Sequence, residues 1–250
     1  MSTFSEYSQY YNLFYRDKNY QLEADYVDQT IKKNIPDARV LLDLGCGTGV
    51  HDRLLNKKGY EILGIDRSET MVKEAYSIAN DTLSFLQGDI RKLRMDKKFD
   101  VVISLFHVMS YQVNYVDLFD SFATAKAHLK TSGLFIFDFW YGPAVLTNRP
   151  QQKTKVAEDE KLIVKRETNP KLHLHQNMVD VNFSFEVMDK STSALKHSFN
   201  ELHTMRYWFY PELEFFLNKA GFLLLSFEEW LTGKKPDSNT WNGCMIAKSE

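Results

Sequence analysis

Short apolar runs alternate with segments of helical period from residue 39 onward. The first run, 39–44, leads into the loop Gly45-Cys46-Gly47-Thr48-Gly49. A helix is predicted over about 50–58, and a second strand over 61–65 ends on Asp66. Further strands are predicted over 83–86, 99–106 and 134–139, with a helix over 114–130 before the last of them. Strands separated by helices in this rhythm predict a doubly wound, mostly parallel sheet of the α/β class.

The period changes after Pro150. Val179, Val181, Phe183, Phe185 and Val187 alternate with polar residues, which is typical of a half-solvated antiparallel strand. We therefore predict an inserted antiparallel sheet over 151–206, after the fifth strand. A helix starting near Pro211 and strands over 222–228 and 241–247 complete a seven-stranded sheet. The predicted organisation is an N-terminal helical lid over 1–36, a core over 37–150 and 207–250, and the insert.

The composition indicates what kind of molecule the protein binds. The 250 residues are 44% hydrophobic and 26% charged with a net charge of −2, so the chain lacks the basic excess of a nucleic-acid binder. The longest nearly apolar runs, 133–140 and 222–227, are too short to span a membrane. Residues 1–6 lack the features of a secretory signal, and the two cysteines are far apart. We expect a cytoplasmic protein with a small-molecule partner, without nucleic-acid or membrane binding.

The glycine loop carries the strongest chemical signal. Glycines let the backbone approach a ligand closely. A dinucleotide-binding fingerprint, G-x-G-x-x-G, needs its third glycine at position 50, but this chain has Gly49 and Val50 there. Asp43, two residues before the loop, would repel a pyrophosphate and suits an ammonium group. The loop therefore predicts a cationic or zwitterionic ligand.

Two more aspartates end successive strands. Asp66 is placed to accept hydrogen bonds from the hydroxyls of a ribose, and Asp89 to contact the exocyclic amine of an adenine. The alternative for either residue alone is a turn or cap role. Their combination with Asp43 and the glycine loop favours the binding interpretation.

These motifs resemble a known family. The segments 40–49 (VLLDLGCGTG), 64–66 (GID) and 87–90 (QGDI) look like the first three motifs of the class I S-adenosylmethionine-dependent methyltransferases. The resemblance extends to 99–102 and 129–133 and to the final antiparallel pair. It implies a Rossmann-like methyltransferase fold, S-adenosyl-L-methionine as cofactor and methyl transfer as the reaction. The insert and the tyrosine-rich N-terminal segment are similar, more loosely, to nucleotide-amino-sugar N-methyltransferases.

The resemblance also implies a cofactor site. The methionine part would lie among Asp43 and the glycine loop, the ribose at Asp66 and the adenine at Asp89 and Ile90. Met71 would pack on the adenine face, although a core role is the open alternative. The full predicted set is Asp43, Gly45, Cys46, Gly47, Gly49, Asp66, Arg67, Met71, Gly88, Asp89, Ile90 and Leu105.

Catalytic candidates come from two regions. His107 follows the fourth strand, at the edge where open α/β sheets bind ligands, and would handle the proton of the acceptor. Tyr11 and Tyr15 lie four residues apart on one face of a predicted helix and would face the sulfonium and the acceptor. A structural histidine and ordinary packing are the respective alternatives. The predicted walls of the acceptor pocket are Phe106, Tyr111, Trp140 and Tyr141.

The sequence does not identify the molecule that accepts the methyl group. We expect methyl transfer to a nitrogen or oxygen of a small molecule, with an amino sugar as one candidate and a homodimer as one alternative assembly. A catalytically silent cofactor-binding module and a methyltransferase acting on a macromolecule are the alternatives, while the glycine spacing weighs against a nicotinamide dehydrogenase. His173 and His175 are predicted on one face of a strand, but no third ligand is evident, so no metal site is expected.

Overall fold

The structure, a computed structural model, describes residue 4 and residues 6–250. The expectation about a secretory signal concerns residues 1–6, of which 1–3 and 5 lie outside the described part. The strands are β1 (Val40–Leu44), β2 (Glu61–Asp66), β3 (Leu83–Gln87), β4 (Phe99–Ser104), β5 (Leu129–Trp140), β6 (Lys153–Glu158), β7 (Leu162–His173), β8 (Met178–Asp189), β9 (Leu195–Arg206), β10 (Phe222–Glu229) and β11 (Asn242–Ser249). The α-helices are α1 (Ser8–Tyr15), α2 (Tyr20–Asn34), α3 (Val50–Asn56), α4 (Glu69–Ala75), α5 (Tyr115–His128), α6 (Gly142–Thr147) and α7 (Tyr210–Lys219).

Seven strands form the main sheet, in the order β10-β11-β5-β4-β1-β2-β3. The pairs from β5 to β3 are parallel, and β11 runs antiparallel to both β5 and β10. Successive residues of the central strands face opposite sides: Leu41 packs in one hydrophobic cluster with α2, and Leu42 packs in the other with α5 and α7. The predicted doubly wound, seven-stranded fold is confirmed.

Strands β6 to β9 form a second, fully antiparallel sheet inserted after the fifth strand of the main sheet. The predicted antiparallel insertion is thus confirmed. Helix α1 packs on this sheet through aromatic side chains, with the Tyr7 ring 4.9 Å from that of Phe185 and the Tyr10 ring 6.0 Å from that of Phe199. The division of the chain into lid, core and insert stays a prediction.

Two predicted boundaries are corrected near the site. Strand β4 ends at Ser104, because Phe106 and His107 have left-handed φ angles of +65° and +66°, which no strand accommodates. The predicted strand over 99–106 is therefore too long. Strand β5 begins at Leu129 before Gly133, so the predicted helix over 114–130 ends two residues early. No helix in the described part of the chain is both long and apolar enough to cross a membrane.

Candidate active site

A cavity of about 860 Å³ lies at the carboxyl ends of the parallel strands. Its floor comes from the segments after β1, β2, β3 and β4, and its other walls come from α1 and the inserted sheet. Ligands of open α/β sheets bind at this edge. The lining includes ten of the twelve predicted cofactor residues, Asp43, Gly45, Cys46, Gly47, Asp66, Arg67, Met71, Asp89, Ile90 and Leu105.

The glycine loop opens onto this cavity at Gly47. This residue has φ +55°, and a Cβ atom added to it would meet nothing within 4 Å. Its N–H donates to Oδ2 of Asp66 at 2.9 Å, which ties the loop to the end of β2. Gly49 and Gly88 do not line the cavity; a Cβ at Gly49 would lie 2.6 Å from the ring of Phe85, so this glycine serves packing.

Asp43 lines the cavity beside a second buried carboxyl, that of Asp52 on α3. Oδ1 of Asp43 and both carboxyl oxygens of Asp52 are buried, and the two carboxyls can share a hydrogen bond when one of them is protonated. Burial, with the Asp52 charge second, raises the pKa of Asp43 well above its usual range, and burial likewise raises the pKa of Asp52. A buried pair of carboxyls is stabilised by a shared proton or by a cationic group beside it.

Asp66 and Asp89 differ in their surroundings. Oδ1 of Asp66 accepts the N–H of Ser68 at 2.8 Å, and burial raises the pKa of this carboxyl. Asp89 accepts three hydrogen bonds from Arg91: its Oδ1 accepts the backbone N–H at 3.0 Å and Nε at 2.8 Å, and its Oδ2 accepts Nη2. These hydrogen bonds lower the pKa of Asp89. Met71, on α4, is buried and lines the same cavity.

The predicted aromatic residues divide into two groups. Tyr11, Phe106 and Tyr111 line the cavity, and Tyr11 contacts the ring of Tyr15 at 4.7 Å. Tyr15 lies outside the lining and packs edge-on against Phe106 at 5.2 Å. Helix α1 is tied to the glycine loop as well, because Thr48 Oγ1 donates to Asn12 Oδ1 at 2.8 Å.

His107 lies outside the cavity lining, against β5 and β11. Its Nε2 is 2.9 Å from Oδ1 of Asn242 and 3.3 Å from Oδ2 of Asp138, and its N–H donates to Oδ1 of Asp138 at 3.1 Å. The left-handed backbone at 106–107 turns the side chain toward these partners.

Trp140 and Tyr141 also lie outside the lining. Trp140 packs against Trp241, and Tyr141 packs against Phe139 and Phe227. Tyr141 thus packs toward β10, and Trp140 packs in a cluster with residues of the inserted sheet.

Sequence reasoning missed the polar wall supplied by β9. Glu201 lines the cavity, and its Oε2 is 3.0 Å from Nε2 of His203, whose Nδ1 is 2.9 Å from the hydroxyl of Tyr111. Residues 201 and 203 are two apart in a strand and share a face, which the alternation of β9 could have indicated. His203 is buried, and nothing in the sequence links it to Tyr111, 92 residues away.

The two histidines considered for metal binding are separated by the end of a strand. His173 ends β7 and its Nε2 is 2.8 Å from Oδ2 of Asp180, whereas His175 lies in the 3-10 turn Leu174–Gln176. The prediction that both share a strand face is wrong. Among the described residues, no group of three or more His, Cys, Asp or Glu side chains has an arrangement suited to a metal ion.

Comparison with known proteins agrees with this geometry. Residues 41–133 match the family model described as a methyltransferase domain. The chain is 26% identical over 218 residues to the dTDP-3-amino-3,4,6-trideoxy-alpha-D-glucopyranose N,N-dimethyltransferase of Streptomyces venezuelae, covering 86% of this chain and 90% of that protein.

Solved structures share the whole fold. An S-adenosylmethionine-dependent methyltransferase from Clostridium acetobutylicum superposes with a TM-score of 0.81 at 23% identity, over 98% of both chains. DesVI of Streptomyces venezuelae superposes with a TM-score of 0.82 at 24% identity, over 99% of this chain and 100% of that one. Residues 41–133 thus match a methyltransferase domain, and the whole chain shares the fold of these two solved structures.

Proposed function

We propose that S-adenosylmethionine binds in the cavity with its ammonium group at Asp43 and its methionine part over Gly47. Two features of the chain fit this group: the buried carboxyl of Asp43 in the cavity wall, and the open space above the Gly47 backbone. A cationic ammonium would offset the cost of the buried carboxyl. The ribose would then reach Asp66, where each carboxyl oxygen accepts one backbone N–H and keeps capacity for a hydroxyl.

The adenine would lie between Met71 and Ile90, with its amine toward Asp89. Both apolar side chains are buried and line the cavity. When bound, the cofactor supplies an electrophilic methyl group on a sulfonium cation. Tyr11, on the opposite wall, offers an aromatic face of the kind that stabilises such cations.

We infer that the acceptor is a small molecule carrying an amine and several hydroxyl groups, as an amino sugar does. The observation that carries this inference is the wall supplied by the inserted sheet, where uncharged hydrogen-bonding side chains surround one carboxylate, Glu201. The uncharged polar residues on that wall are Asn182, Ser184, Asn200 and Thr204. Such groups suit hydroxyls, and the carboxylate favours a nearby cation. The cavity volume is that of a small-ligand site, which weighs against a macromolecular acceptor.

Two further points complete the proposal. We place the protein in the cytoplasm and without nucleic-acid or membrane partners, in keeping with its net charge of −2. The names of the matched relatives include N,N-dimethyltransferases of dTDP-amino sugars, which favours nitrogen over oxygen as the receiving atom. A homodimer stays a prediction.

Calorimetric titration followed by a transfer assay tests the proposal. S-adenosylmethionine should bind and NAD should not. Labelled methyl should then pass to a nucleotide-linked amino sugar and not to the same sugar with a hydroxyl in place of the amine. Cofactor binding without transfer to any amine would identify a silent binding module, and transfer to the hydroxyl compound would identify an O-methyltransferase.

A further inference from the structure

A continuous polar chain leads from the cavity into the inserted sheet. Tyr111, in the 3-10 helix Val108–Tyr111, lines the cavity, and its hydroxyl is 2.9 Å from Nδ1 of His203. Nε2 of His203 is 3.0 Å from Oε2 of Glu201. The histidine is buried, so its partners set its tautomer.

Glu201 fixes the direction of the hydrogen bonds. Besides His203, its two carboxyl oxygens accept the backbone N–H groups of Phe4 at 3.0 Å, Glu6 at 2.9 Å and Tyr7 at 2.9 Å. Four donors on one carboxyl require it to act as an acceptor, which is the ionised form. Nε2 of His203 therefore carries the proton, and Nδ1 is the acceptor for the Tyr111 hydroxyl.

This arrangement leaves the Tyr111 oxygen able to accept a proton from the cavity. Burial raises the pKa of Tyr111, so the side chain holds its own proton and cannot act as a stored phenolate base. A tyrosine in this state transfers a proton only if it passes its own proton on at the same time. His203 Nδ1, with Glu201 behind it, is placed to receive that proton in the way that a triad histidine does.

We propose that Tyr111 is a catalytic residue that takes a proton from the acceptor amine. His203 and Glu201 position Tyr111, and His203 receives the proton that the Tyr111 hydroxyl gives up, so that the three residues form a proton relay. The proposal rests on the proposed function, since it needs an amine acceptor. The acceptor ammonium gives a proton to Oη of Tyr111 as the Tyr111 hydroxyl gives its proton to Nδ1 of His203. The resulting imidazolium pairs with the Glu201 carboxylate.

The neutral amine then has the lone pair that methyl transfer requires. Its nitrogen forms the new bond to the methyl carbon while the sulfur–carbon bond breaks and its electron pair goes to sulfur. The proton held at His203 returns through Tyr111 to the solvent when the product leaves.

Other charged or titratable groups face the relay from the neighbouring elements. Tyr7 contacts the His203 ring at 5.9 Å, and Arg166 lies over the Phe183 ring, which in turn contacts His203. The groups that interact electrostatically with Tyr111 are Tyr7, Tyr11, Tyr15, Asp66, Arg166 and Glu201. Burial raises the pKa of both Tyr7 and Tyr11, so these two phenols stay neutral near pH 7 and leave His203 as the acceptor.

The test compares pH–rate profiles of Tyr111→Phe and His203→Gln with the wild-type protein, using a nucleotide-linked amino sugar as acceptor. At pH 7, Tyr111→Phe should lower kcat about a hundredfold or more and His203→Gln about tenfold or more, within the range for general acid–base groups. Both variants should recover as the pH rises and the amine loses its proton in solution. Calorimetry should give an unchanged affinity for S-adenosylmethionine.

Two matched controls separate the relay from buried hydrogen bonding in general. Tyr60→Phe removes a buried hydroxyl that donates to Asp28 at 2.8 Å, and His128→Gln replaces a buried histidine that accepts the Met95 N–H at 2.9 Å. Both lie away from the cavity lining and should lower the melting temperature without changing the shape of the profile.

Three results decide the proposal. A fractional loss of rate that is equal at every pH would show a structural role and overturn the relay, and so would full activity in either variant. Should Tyr111→Phe fail to fold, the profile of His203→Gln carries the same test. Cofactor binding by the wild-type protein without transfer to any amine would overturn the proposed function, and the relay with it.

Discussion

At the scale of single residues, Asp66 holds the glycine loop in place and faces the cavity. Asp66→Ala removes the acceptor for Gly47 N–H and the proposed acceptor for the ribose. We expect S-adenosylmethionine affinity to fall by roughly 1.5–3 kcal/mol, the usual cost of hydrogen bonds to a charged acceptor, in a folded protein. Isothermal titration measures this, and an unchanged affinity would remove Asp66 from the cofactor site.

A substitution at Gly47 should weaken cofactor binding more than the one at Asp66. Gly47→Val puts a branched side chain at a left-handed φ and into the open space above the loop, so cofactor binding should be abolished. Gly233→Val is the matched control, because Gly233 also has a positive φ, +66°, and open space around its Cβ position. Calorimetry should give normal binding for the control, and equal binding by both variants would contradict the loop assignment.

The sequence predicts a catalytic role for His107 because this residue follows the fourth strand. Its partners in the structure are Asp138 and Asn242, so we expect His107→Gln to lower the melting temperature and to reduce kcat less than about tenfold. A kcat reduced about a hundredfold or more, with normal cofactor affinity, would instead support the sequence-based hypothesis that His107 handles the acceptor proton. Steady-state kinetics with a saturating cofactor distinguishes the two.

The buried carboxyl of Asp52 gives a pH-dependent prediction. Burial raises the pKa of Asp52 to about 7, above the roughly 3.9 of an unfolded aspartate, so the folded protein binds the extra proton between these values. Stability is therefore lost as pH rises through this window. Asp52→Asn removes the charge and should stabilise the cofactor-free protein at pH 8 by up to about 4 kcal/mol, and by much less at pH 4. Urea unfolding at both pH values measures the difference, and a pH-independent effect would contradict the assignment.

The sequence could indicate the carboxyl groups of the cofactor side but not the polar relay. Asp43, Asp66 and Asp89 each lie at or just after the end of a predicted strand, and parallel strands bring their carboxyl ends to one edge. Tyr111, His203 and Glu201 meet only because the inserted sheet folds over that edge. Such a contact depends on the tertiary arrangement, and no local pattern encodes it.

At the scale of elements, α1 joins the two sheets across the cavity. Its aromatic side chains pack on the insert, Asn12 accepts a hydrogen bond from Thr48 of the glycine loop, and the Glu201 carboxylate accepts the N–H of Tyr7. The helix therefore links the inserted sheet to the glycine loop beside the cavity. We expect it to act as a lid, since lids complete catalytic sites in this way.

Deleting residues 1–18 should leave a protein that binds S-adenosylmethionine but does not transfer methyl. The expected reason is the loss of Tyr11 from the cavity wall and of the backbone donors to Glu201. Labelled-methyl transfer and calorimetry give the two readouts. If the shortened chain does not stay folded, Phe14→Ala, which removes a buried ring from the contact between α1 and the insert, provides a milder loosening. Full activity in both would show that α1 serves packing alone.

The order of elements was predictable because periodicity reports burial directly. The apolar runs of β1 and β4 and the strict alternation of β8 appear where the sequence indicates them. The left-handed backbone at Phe106 and His107 was not predictable, because bulky Phe rarely adopts it and the enrichment of His at positive φ is too weak to locate a turn. With this turn, the His107 side chain lies outside the cavity lining.

At the scale of the whole molecule, residues of the main sheet and of the inserted sheet line one cavity of about 860 Å³. The residues proposed to bind the cofactor come from the main sheet, and the polar residues proposed to face the acceptor come from the inserted sheet. The proposal therefore places both ligands in this one cavity.

A crystal structure of the protein with S-adenosylhomocysteine and an amino-sugar nucleotide tests this account most directly. It should contain the ammonium of the cofactor product beside Asp43, the ribose at Asp66, and the acceptor nitrogen within hydrogen-bonding distance of the Tyr111 hydroxyl. A cofactor product bound outside this cavity, or an acceptor nitrogen directed toward His107 and away from Tyr111, would contradict it.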